Sequence, residues 1–325
     1  MKSSAPGKII LVGEHAVVYG RPALAVPVTE VQAEVDVSAG RRPGIWLEAP
    51  DISLQGELNS LPPGNPLAAL VRNLLSALHV DSIPDLTFRI ASTIPVASGM
   101  GSGAAVSVAL IRAFSSALKR TLSDEQVSAY AYEIEKLHHG TPSGIDNAVI
   151  THAKPVYFVK GLPIEMLHVP GAFTLVIGDT GITAPTRESV ADVRRAWEHD
   201  PATCNALFDG IGAIARMARE AIESGRWRHL GPLMDENHAL LQRLEVSSPE
   251  LDHLVSAARL AGALGAKLSG GGRGGNMIAL APAGGLRAIT DALTAAGSSR
   301  VIVTRIEPAA TAGAGSRATS SSRVP

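Results

Sequence analysis

A glycine- and serine-rich segment, residues 95–105, leaves few folds open to this chain. It stands between a predicted strand and residues 104–114, where small and apolar residues recur at helix spacing. Glycine lets a backbone turn tightly and approach a ligand closely, and the free N–H groups at a helix start attract anions. The segment therefore predicts a loop for the phosphate groups of a nucleotide, here called the phosphate loop. The alternative is a glycine-rich turn before a buried helix, and the pattern matches neither the Walker nor the Rossmann motif. The phosphate loop comprises Pro95, Val96, Ala97, Ser98, Gly99, Met100, Gly101, Ser102, Gly103, Ala104 and Ala105.

The length and charge of the chain restrict its class. A chain of 325 residues is long for one hydrophobic core, so two domains are expected. The net charge of −1, without a dense Lys/Arg block, argues against a nucleic acid or an anionic membrane as partner. Cys204 is the only cysteine, which excludes an internal disulfide or a multi-cysteine metal site and suits a cytoplasmic location. The apolar run at residues 9–12 is too short for a signal-peptide core, so we expect no signal peptide there. No apolar run reaches about 18 residues, the length of a membrane span, so we expect no span.

Polar residues follow the first predicted strand directly. Residues 8–13 are predicted to form a buried strand that ends in a turn, and Glu14 and His15 come next. A Glu-His pair just past a strand end is placed to face a cleft, but it is equally compatible with a charged pair in solvent. A second strand is predicted at residues 86–90 and leads straight into the phosphate loop.

A helix is predicted over residues 124–139, since Ser123 and Gln126 have the spacing of a capping box. The polar segment that follows it, residues 140–147, holds Ser, Asp and Asn between Gly and Pro. Such a segment is a suitable frame for catalytic side chains. It is also typical of an ordinary helix-exit turn with Asx hydrogen bonds, and the residues alone leave both interpretations open.

The second half of the chain alternates helices and strands. A strand is predicted at residues 173–178, and the hydroxyl-rich segment 179–186 follows it. Helices are predicted at about 202–224, 226–244, 248–264 and 286–296. A second glycine cluster occupies residues 267–276. We expect an N-terminal domain at 1–160, a C-terminal domain at 161–307 and a disordered tail at 308–325, because the tail is almost free of large apolar residues.

Four separate elements suit phosphoryl transfer: a lysine at the first strand, the phosphate loop, a carboxylate on a helix and an aspartate in a loop. A phosphoryl transferase must neutralise charge on the moving group and orient the acceptor hydroxyl. In their order along residues 3–307, the motifs resemble the galactokinase, homoserine kinase, mevalonate kinase and phosphomevalonate kinase (GHMP) superfamily. Within it they are most similar to the mevalonate kinase family. The matching segments are 5–8, 13–20, 95–105, 135–147, 178–181, 237–241, 247–252 and 267–270.

This resemblance implies a two-domain α+β fold with the active site in the cleft between the domains. It implies ATP-dependent phosphorylation of the 5-hydroxyl of (R)-mevalonate, with Mg²⁺ as cofactor, in a cytoplasmic enzyme of isoprenoid synthesis. The implied partners are the small molecules mevalonate and ATP, with no nucleic acid and no membrane, and a homodimer is possible.

The resemblance also implies roles for individual residues. Asp146 would be the general base, and Lys8 would lie against Asp146 and the γ-phosphate. The phosphate loop would wrap the phosphates of ATP, while Glu135 and Ser102 would hold Mg²⁺. Mevalonate would be placed by Glu14, His15, Ser143 and Thr183, and the loop at Gly270 would close over the transferring phosphoryl group.

Three positions depart from the family pattern. Gly103 replaces the second of two adjacent serines, the one often assigned to the metal, so the metal ligand becomes Ser102, Ser98 or a water. Arg273 stands where the family prefers glycine, and it either touches phosphate or substrate or lies exposed in a loop. Asn276 stands where Cys or another small residue is common, and the sequence offers no reason for it.

Several related functions compete with this interpretation. Another kinase of the superfamily is the nearest alternative, although a phosphorylated acceptor should demand extra Lys or Arg in the cleft, and the motifs show few. A galactokinase should show an acidic sugar-binding pattern after Glu14 and His15, where this chain has apolar residues. A decarboxylase of the same fold is disfavoured by the intact 135–147 block, and a non-catalytic sensor should have lost Asp146 or Lys8.

Overall fold

The computed structural model describes residues 1–95, 98–139 and 143–308. Val96 and Ala97 of the phosphate loop, residues 140–142 and the predicted tail from 309 onward lie outside the described residues, as do the side chains of 137–139. The described residues form helices packed on two sheets, which confirms the predicted α+β class. Within these described ranges, no helix combines the length and the apolar character needed to span a membrane.

The first sheet contains seven strands. They are β1 (Lys2–Val12), β2 (Ala23–Ala39), β3 (Ile45–Ala49), β4 (Leu54–Glu57), β5 (Leu86–Ser92), β6 (Val156–Phe158) and β7 (Glu165–Met166). Their order is β4-β3-β5-β2-β6-β7, and β1 pairs with the long strand β2. Strand β1 is buried from Ala5 to Val12, as the predicted apolar strand requires, so the residues that follow it emerge deep inside the molecule.

Four helices cover this sheet: α1 (Pro66–Ala77), α2 (Ser102–Ala117), α3 (Asp124–His139) and α4 (Ile145–His152). The capping box predicted for α3 is present, because the Ser123 hydroxyl accepts from the Gln126 N–H at 3.3 Å and the Gln126 side chain accepts from the Ser123 N–H at 2.9 Å. Helix α2 packs against β1 and β2, and its first turn, from Ser102 onward, forms the end of the phosphate loop. The strand-loop-helix order predicted around that loop is confirmed.

The second sheet is antiparallel, with the order β11-β8-β10-β9. Its strands are β8 (Phe173–Asp179), β9 (Gly265–Ser269), β10 (Asn276–Ala281) and β11 (Arg300–Ile306). The accompanying helices are α5 (Thr186–His199), α6 (Pro201–Glu223), α7 (Leu230–Arg243), α8 (Pro249–Leu260) and α9 (Leu286–Ala295). The predicted helix 226–244 is shorter in the structure, since a 3₁₀ turn at Trp227–His229 precedes α7. The sequence does not predict β9 (Gly265–Ser269), whose end overlaps the second glycine cluster.

Strands β1 and β9 meet where the two sheets adjoin. The Ser269 hydroxyl accepts from the Ile10 N–H at 3.1 Å and donates to the Ile10 carbonyl at 2.8 Å. It thus satisfies both backbone groups of Ile10, next to a register shift between Ile10 and Val12. Sheet membership changes between Met166 and Phe173, a few residues after the predicted division at 160, which stays a prediction. The contact fixes the end of β1 against the second sheet.

Candidate active site

Three ionisable side chains gather beside the phosphate loop. Lys8 Nζ lies 3.0 Å from Asp146 Oδ1, with the lysine side chain 4% exposed and the aspartate 28% exposed. Glu135, on α3, is buried close to both. Burial, together with the charge of Asp146, raises the pKa of Glu135 to about 8, although the Lys8 ammonium opposes the shift. The cluster therefore combines two carboxyl groups, of which Glu135 is mostly protonated near pH 7, with one cation in a site largely shielded from water.

The position of Lys8 depends on a glycine of the phosphate loop. The backbone of β1 is tied to this loop, because the Lys8 N–H donates to the Met100 carbonyl at 3.0 Å. Gly101 has a φ of 73°, and a Cβ there would lie 3.1 Å from Lys8 Cγ and 2.8 Å from Ile150 Cδ1. Both the backbone conformation and the lack of space favour glycine at this position. Gly101 thus lets the lysine stem cross directly beneath the start of α2.

Asp146 lies in the first turn of α4. Gly144 precedes this helix with a φ of 93°, and the Ser143 hydroxyl accepts from the Ile145 N–H at 3.4 Å. Asn147 is buried and donates from Nδ2 to the Ser128 hydroxyl at 2.7 Å, which anchors α4 to α3. The aspartate is therefore presented from a helix start whose next residue is locked in the core.

The start of α2 offers backbone donors to an anion. In a 16-residue helix that begins at Ser102, the first N–H groups have no partner within the helix. Ser102 is half-buried, while Gly99 and Gly103 are exposed, and a Cβ at either glycine would meet no atom within 4 Å. Ala104 and Ala105 are buried and carry the helix into the core. This end of the loop is thus open, as the phosphate-binding prediction requires.

The Glu14 side chain is enclosed rather than open to the cleft. Glu14 and Lys267 form an ion pair in which both side chains are 0% exposed. Asn237 donates from Nδ2 to Glu14 Oε2 at 3.3 Å. Burial lowers the pKa of Lys267, and the pairing with Glu14 opposes that shift. Direct contact between Glu14 and a substrate stays a prediction from the sequence.

His15 is held in an unusual conformation. Its φ is 59°, a value that costs a residue with a side chain of order 1–3 kcal/mol. His15 Nε2 lies 3.1 Å from the Gly271 carbonyl, so Nε2 carries the hydrogen in this contact. Burial lowers the pKa of His15 to about 4, the Gly271 hydrogen bond opposes the shift, and the charge of Arg273 adds to it. The ring is therefore neutral near pH 7.

The middle of the second glycine cluster, residues 270–275, forms the loop that links β9 to β10. Gly270 is buried with a φ of 91°. The Gly275 N–H donates to the Ile182 carbonyl at 2.9 Å, and Thr180 donates from N and Oγ1 to the Gly275 carbonyl at 2.9 and 3.0 Å. Thr183, in the adjoining loop, is exposed. The cluster thus packs against the hydroxyl-rich loop that holds Thr183.

Arg273 forms an ion pair rather than lying free in solvent. Its guanidinium pairs with Asp192 of α5, and its own N–H donates to the Val246 carbonyl at 2.8 Å. A Cβ at Gly271 would lie 3.0 Å from Thr186 Oγ1, so the start of α5 packs on the same loop. The sequence left two roles open for Arg273, a contact with phosphate or substrate and an exposed position in a loop. The ion pair with Asp192 is a third role, in which Arg273 connects the loop to α5.

Sequence reasoning missed Lys267, Asn237 and Asp192 as neighbours of the site. The signal for Lys267 was present, because a lysine flanked by Ala266 and Leu268 in a fully buried strand requires an opposite charge. Its partner, Glu14, lies 253 positions away, which no local pattern reveals.

A lysine on a buried strand, paired with an aspartate beside an open helix start, supplies the cation and the carboxylate that phosphoryl transferases use. Family models support the same class: the GHMP kinase N-terminal domain matches residues 65–154, and the GHMP kinase C-terminal domain matches residues 218–299. The chain is 38% identical to mevalonate kinase of Pyrococcus abyssi, over 94% of this chain and 95% of that relative. The chain belongs to the GHMP kinases and, among them, to the mevalonate kinase family.

Solved structures agree with this membership. The crystal structure of L. major mevalonate kinase in complex with R-mevalonate has a TM-score of 0.82 and 32% identity, over 96% of this chain and 97% of that one. Methanococcus jannaschii mevalonate kinase has a TM-score of 0.81 and 25% identity, over 94% and 97%. The predicted two-domain GHMP kinase fold is confirmed.

Proposed function

We propose that this enzyme transfers the γ-phosphoryl group of ATP to the 5-hydroxyl of (R)-mevalonate, giving ADP and 5-phosphomevalonate. The observation that carries the proposal is the ion pair of Lys8 and Asp146 beside the open start of α2. The mevalonate kinase relatives, at 36–38% identity, support the choice of acceptor. Other acceptors of the superfamily are the alternatives that an experiment must separate.

Asp146 accepts the proton of the acceptor hydroxyl in this proposal. As the hydroxyl oxygen forms its bond to the γ-phosphorus, the bond from that phosphorus to the bridging oxygen of ADP breaks. Lys8 pairs with the Asp146 carboxylate and offsets negative charge on the phosphoryl group. The phosphate loop holds ATP through the backbone N–H groups at the start of α2. Catalysis then depends chiefly on position and charge.

Mevalonate occupies the space bounded by Ser143, Thr183 and His15, with the backbone at Gly270 closing over the phosphoryl group. Ser143 and Thr183 are at least partly exposed and can reach a ligand, whereas His15 is neutral and has one ring nitrogen engaged by Gly271. A direct contact from Glu14 requires that its enclosure by Lys267 and Asn237 open.

Glu135 and Ser102 are the residues that would hold Mg²⁺. Their oxygen atoms are the ligands this ion prefers, and Mg²⁺ sites in kinases combine one or two carboxylates with phosphates and waters. Burial and the charge of Asp146 disfavour the charged form of Glu135, and a bound cation would offset this effect, so these residues fit the ion. Among the described residues, no three His, Cys, Asp or Glu side chains gather as a complete metal site. When bound, Mg²⁺ neutralises charge on the phosphates.

The cytoplasmic location and the homodimer stay predictions.

The test is ADP release with ATP, Mg²⁺ and one acceptor at a time: mevalonate, 5-phosphomevalonate, homoserine or galactose. Selective turnover of mevalonate supports the proposal, and selective turnover of another acceptor overturns the substrate while keeping the fold. ATP binding without turnover of any acceptor would contradict the assigned reaction. A variant with Asp146→Asn serves as the blank, because it removes the proposed base at nearly constant volume.

A further inference from the structure

Asn276 lies between the two glycine-rich loops, in a strand that is paired on both sides. It is the first residue of β10 and pairs with Asp179 on β8 and Ser269 on β9. The residue is 1% exposed. A strand bonded on both sides fixes its backbone, so the Asn276 side chain projects from a defined position. This is the asparagine for which the sequence offered no reason.

The Asn276 side chain reaches the phosphate loop. Its Nδ2 donates to the Ser98 carbonyl at 2.5 Å, across 178 positions of the chain. The preceding Gly275 permits the approach, since its φ is 68° and a Cβ there would lie 3.1 Å from the same carbonyl oxygen. The Asn276 Oδ1 atom is buried without a partner in the described part of the chain. The amide is therefore committed to Ser98.

Gly99 lies between two carbonyls that are held from opposite domains. Asn276 holds the Ser98 carbonyl, and the Lys8 N–H holds the Met100 carbonyl at 3.0 Å. Gly99 itself is exposed, with a φ of 80° and open space where a side chain would be. Because a trans peptide unit is planar, fixing the Ser98 carbonyl also fixes the Gly99 N–H in the opposite direction. A glycine without such bonds would sample many orientations.

We propose that Asn276 is a positioning residue of the ATP site, which holds the Ser98 carbonyl and so directs the Gly99 N–H toward the phosphates of ATP. The proposal rests on the proposed function, because it takes the phosphate loop as the ATP site. Asn276 touches no reacting atom. Its contribution is to order the loop before ATP binds, so that the free energy of ATP binding is not reduced by the entropic cost of ordering the loop. Losing it weakens ATP binding and leaves the chemical step nearly unchanged.

Two variants test this role. Asn276→Ala removes the donor, and we expect KM for ATP to rise about fivefold, the effect of one net hydrogen bond. Asn276→Asp keeps the size but opposes a carboxylate to the Ser98 carbonyl and the triphosphate, so the rise should be larger. In both variants, kcat and KM for mevalonate should stay within about twofold of the values of the unmodified enzyme, because Asn276 contacts neither the proposed base nor the acceptor site.

Hydrogen exchange separates positioning from general destabilisation. Amides at residues 98–102 should exchange faster in Asn276→Ala without ligand, while the rest of the second sheet keeps its protection. Thr304→Ala is the matched control, since Thr304 is a 1% exposed polar residue on β11 of the same sheet. It should leave KM for ATP unchanged. If Asn276→Ala does not fold, the same measurements are made on Asn276→Ser, which keeps a hydroxyl at the buried position.

An unchanged KM for ATP in Asn276→Ala, or an equal rise in Thr304→Ala, would overturn the positioning role. Equilibrium binding of ATP distinguishes this failure from failure of the proposed function. If the unmodified enzyme binds ATP but does not phosphorylate mevalonate, the substrate assignment fails. The comparison of ATP affinity between the unmodified enzyme and Asn276→Ala still decides the role of Asn276.

Discussion

Lys8 and Asp146 form an ion pair with 3.0 Å between Nζ and Oδ1, although the two residues lie far apart along the chain. Lys8 belongs to a buried strand, and Asp146 to the first turn of a helix that is anchored in the core. Both side chains therefore extend from backbone positions that the core holds in place. The geometry thus fixes a carboxylate and an ammonium beside the phosphate loop before any ligand binds.

Replacing the proposed base should separate binding from chemistry. In Asp146→Asn, kcat should fall by about a hundredfold to ten-thousandfold, because the amide cannot accept the hydroxyl proton. ATP affinity should change by less than about threefold, since the phosphate loop is intact. Steady-state ADP release and equilibrium ATP binding measure the two quantities. Asp124→Asn, at an exposed carboxylate paired with Arg112, is the control and should keep normal turnover. Near-normal turnover in Asp146→Asn would refute the mechanism.

Ser102 stands beside the position where the family pattern has a second serine. If its hydroxyl holds Mg²⁺, Ser102→Ala should raise the half-saturating Mg²⁺ concentration several-fold at saturating ATP, with water replacing the lost oxygen. The measurement is a Mg²⁺ titration of turnover. Ser107→Ala, at a buried serine further along α2, is the matched control and should leave the titration in place. Superimposed titrations for Ser102→Ala and the unmodified enzyme would remove Ser102 from the metal site.

The sequence predicted much of the local structure and the contact between Lys8 and Asp146, but not the other long-range contacts around them. Apolar periodicity was sufficient for β1 and α2, and the capping box gave the start of α3. Strand β9 was missed because Lys267 interrupts its apolar pattern next to three glycines. The lysine is compatible with a buried strand only because Glu14 neutralises it from the other domain. The contact from Asn276 to Ser98 is equally non-local, so no motif contains both partners.

The ion pair of Glu14 and Lys267 should show strong coupling in a double-mutant cycle. Glu14→Gln or Lys267→Met alone leaves a partner charge with 0% exposure, and each should lower the free energy of unfolding by about 3–5 kcal/mol. The double variant should lose about 1–3 kcal/mol less than the sum of the two, because no unpaired charge remains. Urea denaturation measures all four proteins.

The exposed pair of Arg194 and Glu198 is the matched control for that cycle. Its atoms lie 2.9 Å apart, but its side chains are 68% and 53% exposed. Water and salt screen such a pair, so its coupling should stay below about 0.5 kcal/mol. Equal coupling energies in the two cycles would contradict the conclusion that the buried ion pair of Glu14 and Lys267 stabilises the fold.

His238 should make stability depend on pH in a defined direction. Its Nδ1 accepts from the Leu268 N–H at 3.3 Å, and its Nε2 lies 3.1 Å from Asp252. Burial lowers the pKa of His238 to about 4, which the charge of Asp252 opposes, while the unfolded value is 6.5. Stability from the neutral ring is therefore present above pH 6.5 and is lost as the pH falls toward 4.

His238→Gln isolates this contribution, because glutamine can accept and donate at similar positions but does not titrate. Glu135 acts in the opposite direction, since its pKa is raised to about 8 and its protonation stabilises the fold as the pH falls, but it is present in both proteins. The contribution of Glu135 therefore drops out when the free energy of unfolding of His238→Gln is subtracted from that of the unmodified enzyme. Between about pH 7.5 and about pH 5, that difference should shift by about 2 kcal/mol against the unmodified enzyme. Urea denaturation at both pH values measures the shift, and a difference independent of pH would show that His238 does not titrate on unfolding.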